Sequence, residues 1–482
     1  MLIRDAEHAR GRIDLRLEGD RIAEIGARLW PRSGEDDFDA RGGALLPGLH
    51  DHHLHLLSLA ASLDSIACGP PDTCDAAALR SALESAPPEP SWLRGTGYFE
   101  SVAGPLDRDV LDRFCPNRPL RIQHRSGSMW FLNSRAIDAL HLDSRETPIG
   151  VERDGKGMAT GRVTRLDAWL RELLPPRADP DLSRVGQLLA GRGVTGVTDA
   201  TPTNGRFEFQ LFREAQRRDA LPQQLWLMGS TELSSQASTE SLVIGARKFL
   251  LDETALPDLD ALAESIREAH MSQRPVAIHS VTRSEILYAL AAIEIAGPLA
   301  GDRLEHASIA PPEAVESARR LALTVVTQPN FVAERGDAYL RNVEASDQAY
   351  LYRLGGWLDA GVALGGGTDA PFGLPDPWRA MRAAVERRAP SGELLGASEA
   401  ISPERALALF TTRPGAPGGR PRELRVGARA DLCLLDVPWS EARQQLDCER
   451  IAATFCGGRL IWRSADHQQS ASFMKVRRGS SA

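Results

Sequence analysis

The sequence predicts an α/β fold: a (β/α)8 TIM barrel, a small β-sandwich domain formed by both termini, and an insertion after the first barrel strand. Three observations lead to this prediction. The middle of the chain alternates strand-like and helix-like segments, both ends are rich in strand-like segments, and one long early stretch fits neither pattern. With 482 residues, 42% of them hydrophobic, the chain is long enough to build large cores.

Both ends of the chain alternate apolar and polar residues, as half-buried strands do. Residues 13–17 and 21–25 flank a Glu-Gly-Asp turn, which predicts a hairpin. Near the other end, residues 430–435, 451–455 and 457–462 are also strand-like, and a Gly-Gly turn joins the last two. We therefore predict that strands from the two termini pack together in one small β domain.

The middle of the chain contains eight strand-like segments separated by helical patterns, the number that a (β/α)8 barrel requires. These predicted strands are residues 45–55, 194–199, 224–228, 246–251, 275–279, 303–306, 323–328 and 362–369. Parallel strands joined by helices present their carboxyl ends on one face, and barrel enzymes carry their active sites there. Residues that follow these strands are therefore the first candidates for function.

The stretch from about 65 to 178 does not fit the barrel count. It contains two further strand candidates, 92–97 and 120–124, and several turn signals. Because it follows the first barrel strand, we interpret it as an insertion above the catalytic face, where it would cover the site.

These elements give a domain organisation for the whole chain. Residues 1–45 and 426–466 are assigned to the β-sandwich domain, and residues 46–425 to the barrel with its insertion. The basic, small-residue segment 467–482 is predicted to be a disordered tail.

Composition excludes several functional classes. The net charge is −8 and no stripe of lysine and arginine is evident, which argues against a nucleic-acid partner. No apolar run approaches the roughly 20 residues of a membrane span, and the first residues are too charged for a signal peptide. The six cysteines are scattered without a Cys-x-x-Cys pair, which favours reduced thiols and a cytoplasmic location. A small-molecule substrate and a homodimer are the remaining expectations.

Metal-ligand residue types recur where the predicted barrel strands end. The set comprises His53, His55, Lys248, His279, His306 and Asp369. Two histidines spaced by one residue point to the same face of a strand. Each residue alone has an ordinary interpretation, as a buried hydrogen-bonded histidine, a solvated lysine or a turn carboxylate. Together they place on the catalytic face the nitrogen and oxygen ligands that zinc and similar ions prefer.

Short motifs surround these residues. They are Pro47-Gly48-x-x-Asp51-x-His53-x-His55, Lys248 with Asp252, Ile278-His279, Leu304-Glu305-His306-Ala307 and Gly367-Thr368-Asp369-Ala370-Pro371. Further motifs are Trp92-Leu93-Arg94-Gly95-Thr96-Gly97, Asn133-Ser134 and Gly427-Ala428-Arg429-Ala430-Asp431-Leu432. With these motifs the sequence resembles the amidohydrolase superfamily over nearly its whole length, and within it the YtcJ-like, amidohydrolase family 3 branch.

The resemblance implies a role for each residue. His53 and His55 would hold a buried metal together with Asp369, and His279 and His306 would hold a second metal. Carbon dioxide would carboxylate Lys248, and the carbamate would bridge the two ions, because an anion with two oxygens suits a place between cations. Two Zn²⁺ per chain are expected, with Mn²⁺, Fe²⁺, Co²⁺ or Ni²⁺ as other candidates.

The implied activity is metal-dependent hydrolysis of a carbon–nitrogen bond other than a peptide bond in a small molecule: an amide, formamide, urea-like or cyclic amide bond. A water that bridges two ions would ionise near neutral pH and attack as hydroxide. Asp369 would accept its proton and deliver it to the leaving amine, as general base and then general acid.

Three alternatives stay open. A mononuclear metal-dependent deaminase on the same scaffold carries a glutamate three residues after the fifth-strand histidine, where this chain has Thr282. A catalytically inactive, amidohydrolase-like scaffold protein would have lost ligands, whereas this sequence retains all six. Hydrolysis of an ester or lactone is compatible with the same ligands.

Three further expectations concern the surroundings of the ligands. Asp51 shares the strand face of His53 and is predicted to anchor the strand end through hydrogen bonds. His50 and His52 are predicted to pack on the opposite face. Ser126-Gly127-Ser128 stands where the branch usually has Asp-Gly-His, and this departure bears on substrate recognition.

Overall fold

The computed structural model describes most of the chain, namely residues 1–8, 11–89, 91–175, 180–465 and 467. The predicted tail lies outside the described residues except for residue 467, and so does the predicted end of the insertion near 178. The chain divides into two compact units: the first comprises Met1–Leu56 and the residues from Leu182 onward, and the second comprises Leu57–Asp181. In the described part, no helix is long and apolar enough to cross a bilayer.

Eight parallel strands form the barrel of the first unit. In sheet order they are Leu49–Leu54, Val194–Asp199, Gln224–Gly229, Leu242–Leu250, Val276–Ser280, Arg303–His306, Thr324–Thr327 and Ala363–Gly366. The first strand and the segment after the eighth also meet, where the Asp369 amide donates to the His53 carbonyl at 2.8 Å. The predicted eight-stranded barrel is therefore confirmed.

Helices connect the barrel strands. The longer helices of this unit are Leu182–Ala190, Arg206–Arg217, Leu259–Met271, Arg283–Ala296, Pro312–Arg320, Asn330–Asn342, Pro377–Glu386 and Pro403–Thr411. Short ones are Ala345–Gln348, Gly355–Asp359 and Trp439–Ala442, with 3₁₀ turns at Thr231–Ser235, Ala397–Glu399 and Cys448–Arg450. Side-chain caps fix several helix starts: Thr282, for example, accepts from the Glu285 amide at 3.2 Å.

Two four-stranded sheets come from the ends of the chain. One consists of Arg21–Gly26, Gly11–Glu18, Leu2–His8 and Asp37–Asp39. The other consists of Arg459–Arg463, Ile451–Cys456, Leu432–Leu435 and Leu45–Pro47. Ile3 and Phe38 of the first sheet share one buried core with Leu434 and Phe455 of the second, as the sequence predicts. A separate hairpin joins Thr412–Arg413 to Ala416–Pro421.

The predicted first barrel strand, 45–55, is wrong in one respect, because it divides at Gly48. Leu45–Pro47 pairs antiparallel in the second terminal sheet, whereas Leu49–Leu54 belongs to the barrel. A Cβ atom at Gly48 would lie 2.4 Å from the Thr195 side chain, so the crossing between the two sheets requires glycine. Both halves are extended, and the sequence pattern therefore shows no division.

The second unit contains a mixed six-stranded sheet. In order its strands are Val151–Arg153, Ala159–Thr164, Met129–Leu132, Leu120–His124, Leu93–Tyr98 and Ile66–Ala67. Its helices are Ala76–Glu84, Glu100–Ala103, Arg108–Phe114, Ser134–Leu140 and Asp167–Leu173, and Leu56–Leu63 begins at its boundary. The sequence predicts two of these strands. Most of the others span two to four residues, too short for alternation to stand out.

Candidate active site

The six predicted ligands all occur where barrel strands end. His53 lies near the end of the first strand and His55 directly follows it. Lys248 lies in the fourth strand, His279 in the fifth, His306 ends the sixth, and Asp369 follows the eighth. The Nε2 atoms of the first two histidines lie 3.4 and 3.2 Å from the Asp369 Oδ1 atom. Ligand atoms of these three residues all lie within 4.8 Å of one another, which is close enough to share one ion.

The other three predicted ligands lie beside this group. The His306 ring centroid is 4.6 Å from that of His53 and 4.4 Å from that of His279. The Lys248 Nζ atom is buried and has no hydrogen-bond partner among the described residues. Burial, assisted by the charge of Lys248, lowers the pKa of all three of these histidines. The structure thus brings the six residues close together. His53, His55 and Asp369 form one set, and His279 and His306 form a neighbouring set beside Lys248.

Three histidines are held through Nδ1, so that Nε2 is left for a ligand. His53 Nδ1 donates to a carboxylate oxygen of Glu305, and His306 Nδ1 donates to Gln328 Oε1 at 2.8 Å. Both acceptors lack a proton to give, which fixes the tautomer of each ring. The His55 Nδ1 atom lies 2.8 Å from the Thr201 hydroxyl. Such partners orient metal-binding imidazoles.

Glu305 is part of a buried ion pair. Its carboxylate is paired with Arg303, whose Nη2 atom also donates to the His52 carbonyl at 2.8 Å. Burial disfavours ionisation of Glu305, but the charges of Arg303 and Lys248 outweigh it and hold the pKa of Glu305 well below its ordinary value. The carboxylate therefore stays ionised and keeps its bond to His53.

These partners of the predicted ligands are not among the residues predicted from the sequence. Glu305 precedes His306 directly, and strand alternation would place the two side chains on opposite faces. His306 has a φ of 69°, outside strand geometry, so both side chains reach His53. A glutamate within a buried strand is a signal that could have identified Glu305. Thr201 and Gln328 carry no comparable signal.

Asp51 links the first strand to the loop that carries Asp369. Its carboxylate accepts from the Thr368 amide at 3.0 Å, the Thr368 hydroxyl at 2.5 Å and the His53 amide at 3.2 Å. The predicted anchoring role is confirmed. Burial raises the pKa of Asp51 to about 7, although the hydrogen bonds from Thr368 oppose this shift. A Cβ atom at Gly367 would lie 2.6 Å from the Cβ of His53, so the loop passes too close for any other residue.

His50 and His52 pack away from the six ligands, as predicted. The Nε2 atom of His50 lies 2.9 Å from the Thr198 hydroxyl, and that of His52 lies 2.9 Å from the Thr412 hydroxyl. Both rings are buried. Alternation along the strand separates them from His53, and they take part in packing rather than in the site.

The electrostatics of the site favour metal ligands in their binding forms. Burial lowers the pKa of His53 to about 4, that of His306 to about 3 and that of Lys248 to about 8. Burial opposes ionisation of Asp369, but the polar contact from His55 and the neighbouring histidines outweighs it and holds the pKa of Asp369 below its ordinary value. Neutral imidazoles and an ionised carboxylate are the forms that bind cations.

This donor set fits divalent metal ions. It offers four imidazole rings and one carboxylate, the nitrogen and oxygen ligands of zinc and related ions. The Lys248 Nζ and Asp369 Oδ1 atoms are buried without hydrogen-bond partners among the described residues. Buried polar atoms of this kind point to a partner that the polypeptide itself does not supply.

Comparison with known proteins gives the family. The sequence model of the amidohydrolase family matches residues 37–461. The chain is 27% identical to the N-substituted formamide deformylase of Arthrobacter pascens and covers 90% of each chain. It is 24% identical to the putative amidohydrolase YtcJ of Bacillus subtilis, over 89% of this chain and 90% of that one.

A solved structure shows the same fold. An uncharacterised metal-dependent hydrolase of Pyrococcus horikoshii aligns with a TM-score of 0.71 and 19% identity, over 90% of this chain and 97% of that one. The family match extends over most of the sequence, including all eight barrel strands and every predicted ligand. The protein described here therefore belongs to the amidohydrolase family.

Proposed function

We propose that this protein is a binuclear metal-dependent hydrolase that cleaves a non-peptide carbon–nitrogen bond of a small molecule, such as an amide, formamide, urea-like or cyclic amide bond. The observation that carries the proposal is the joint position of His53, His55 and Asp369, with ligand atoms within 4.8 Å of one another. The formamide deformylase relative makes formamides the first substrates to test. Zinc as the metal, a cytoplasmic location and a homodimer belong to the same proposal.

The chain's own residues would bind and orient two ions. His53, His55 and Asp369 would hold one, and His279 and His306 the other. Glu305 and Gln328 keep the Nδ1 protons of two of these rings in place, so that the Nε2 lone pairs face inward. When bound, divalent ions would polarise the substrate carbonyl and make a water acidic near neutral pH.

Lys248 would join the two sets as a carbamate. Its neutral amine would attack the carbon of CO₂, a C–N bond would form, and one proton would leave to solvent. The sequence supports a special role for this amine, because only three of its 57 basic residues are lysines: Lys156, Lys248 and Lys475. In a chain that uses arginine almost everywhere, a buried lysine with an unpartnered Nζ indicates chemistry that a guanidinium cannot perform.

Asp369 would transfer a proton from the attacking water to the leaving amine. Its Oδ1 atom is buried, has no hydrogen-bond partner of good geometry among the described residues, and lies 3.4 and 3.2 Å from the Nε2 atoms of His53 and His55. The lowered pKa keeps it ionised, which is the form that could accept a proton from water. The same carboxyl group would then deliver the proton to the nitrogen of the leaving amine. An Asp369→Asn variant should lose about 10²-fold or more in kcat, the usual contribution of general acid–base catalysis.

The proposal is tested by metal content and by carbon-13 NMR. Wild type, Lys248→Ala and Lys156→Ala are purified without chelator and supplied with zinc and ¹³C-bicarbonate. We expect about two ions per chain and one carbamate signal in the wild type and in Lys156→Ala, whose exposed lysine is the matched control. Both readouts should fall in Lys248→Ala. The wild type is then screened with formamides, amides and cyclic amides.

Two outcomes would contradict the proposal. One ion per chain, unchanged by Lys248→Ala, would favour the mononuclear deaminase. Thr282 stands where the deaminase would carry its glutamate and caps the helix Arg283–Ala296, which supports the binuclear proposal. Full metal content without hydrolysis of any C–N substrate would leave ester hydrolysis or the inactive scaffold.

A further inference from the structure

A second concave site occurs at the other end of the barrel. A cavity of ≈ 390 Å³ is lined by Pro47 and Gln224, which lie just before or at the start of two barrel strands. The six predicted metal ligands occupy the opposite, carboxyl ends of the strands. The cavity is also lined by six arginines, namely Arg21, Arg413, Arg420, Arg422, Arg425 and Arg429.

Two of these arginines form ion pairs with the acidic residues of the cavity. Asp431 lies 3.2 Å from Arg429, and Glu423 lies 3.6 Å from Arg420. These are the two carboxylates among the lining residues, so arginines exceed them by four. Two carboxylates from outside the lining reduce this excess. Asp20 pairs with Arg429 at 3.0 Å and with Arg21 at 3.7 Å, and Glu240 pairs with Arg429 at 3.4 Å.

Three of the six arginines, Arg413, Arg422 and Arg425, form no ion pair with any described residue. Arg413 and Arg425 are exposed. Arg422 is partly buried, and its guanidinium donates to two carbonyl oxygens, those of Gly48 and Thr411. Carbonyls orient a guanidinium but do not neutralise it.

A concave cluster of uncompensated guanidinium groups favours an anion with several charges. The chain as a whole carries a net charge of −8, so this local excess is opposite in sign to the rest of the molecule. The planar N–H pairs of arginine match the oxygens of phosphate groups. The cavity volume lies within the range of pockets that hold small molecules, roughly 300–1,000 Å³.

We propose that this cavity binds a phosphorylated small molecule at a site separate from the hydrolytic one. Arg413 and Arg425 would contact phosphate oxygens directly, and Arg422, held in place by backbone carbonyls, would supply a fixed charge at the base. A compound with two phosphate groups would match the excess charge better than one with a single group. The proposal does not depend on the proposed hydrolase activity.

The test is titration calorimetry on the full-length, metal-loaded protein at a constant ionic strength of about 0.15 M. The probes are fructose 1,6-bisphosphate and inorganic phosphate. We expect one saturable site for the bisphosphate, with weaker binding of inorganic phosphate. The double variant Arg413→Ala/Arg425→Ala should bind the bisphosphate at least about tenfold more weakly, because charge-assisted hydrogen bonds are lost.

An exposed arginine outside the cavity provides the control. Arg341→Ala should bind the bisphosphate as the wild type does, and all variants should fold, because the altered side chains are exposed. Bisphosphate affinity that is unchanged in the double variant would overturn the proposal and place the ligand elsewhere, for example on the active-site metals. Absence of saturable binding up to about 10 mM would overturn it as well.

Discussion

The Glu305→Gln substitution tests whether the carboxylate that accepts the Nδ1 proton of His53 prepares this ring for a metal ion. Glu305 is fully buried, accepts the Nδ1 proton of His53 and is paired with Arg303, which is 4% exposed. Glutamine preserves the shape of the side chain and can still accept one hydrogen bond. It removes the negative charge and turns an amide N–H₂ group toward one of its neighbours.

The structure gives two expected magnitudes. Removing one partner of a buried ion pair costs about 3–5 kcal/mol, because the other charge stays buried and unpaired. Glutamine keeps part of the contact, so we expect about 3 kcal/mol in the free energy of unfolding. Loss of a partner that orients a metal-binding histidine lowers metal affinity 10- to 100-fold, which corresponds to about 1.4–2.7 kcal/mol of binding free energy.

The assay separates the two effects with a matched control. Glu399 is another buried glutamate, 4% exposed and paired with Arg353 at 2.8 Å, and it contacts none of the ligands. Urea unfolding of the metal-free proteins gives the stability of Glu305→Gln and Glu399→Gln. Zinc affinity is measured by competition with a chromogenic chelator. Both variants should lose stability, and the Glu305 variant alone should lose zinc affinity.

One result would refute this reasoning. If Glu305→Gln bound zinc as tightly as Glu399→Gln and wild type, the bond from His53 to Glu305 would not prepare the ring for a metal. Equal zinc affinity combined with lost stability would assign Glu305 to folding alone. A structural role by itself cannot produce the opposite pattern, in which zinc affinity falls in one variant only.

Three further predictions address other parts of the molecule. Thr368→Val removes the hydroxyl that donates to Asp51 at 2.5 Å, and leaving this buried acceptor short of a donor should cost about 1–3 kcal/mol in urea unfolding. Burial opposes ionisation of Glu305, but the charge of Arg303 keeps its pKa well below the ordinary value. The ionised Glu305 therefore stabilises the folded state fully above the unfolded pKa of about 4.3, and this contribution is lost as pH falls toward the folded pKa. Between about pH 5 and 3 the metal-free wild type should therefore lose more stability than Glu305→Gln. Iodoacetamide should modify the native protein first at Cys74, the exposed cysteine, since four of the other five are buried. Peptide mass spectrometry identifies the modified cysteine, and rapid modification of the buried cysteines would contradict the described packing.

The sequence alone predicted the barrel and the ligands. Barrel strands are short, mostly buried segments separated by helical patterns, and both signals arise from neighbours in the chain. His53 and His55 are two residues apart, so their shared direction follows from strand geometry alone. The positions of Lys248, His279 and Asp369 at strand ends follow once the strands are counted, because parallel barrel strands end on one face.

Other features depended on the tertiary structure. The division of the first strand at Gly48 reflects the close approach of Thr195, a neighbour almost 150 positions away in the sequence. The bond between His53 and Glu305 joins residues 252 positions apart. The cavity at the other end of the barrel combines Arg21 with arginines from the region near residue 420.

The physical reason is the same in each case. Periodicity records which face of an element is buried, and it therefore determines which residue types reach the barrel's catalytic face. A hydrogen bond or a close approach between residues far apart in the sequence depends on how the elements pack. Local patterns in a single sequence therefore do not indicate it. The candidate ligands could thus be predicted from the sequence, whereas the Nδ1 partner of His53 was decided by the tertiary fold.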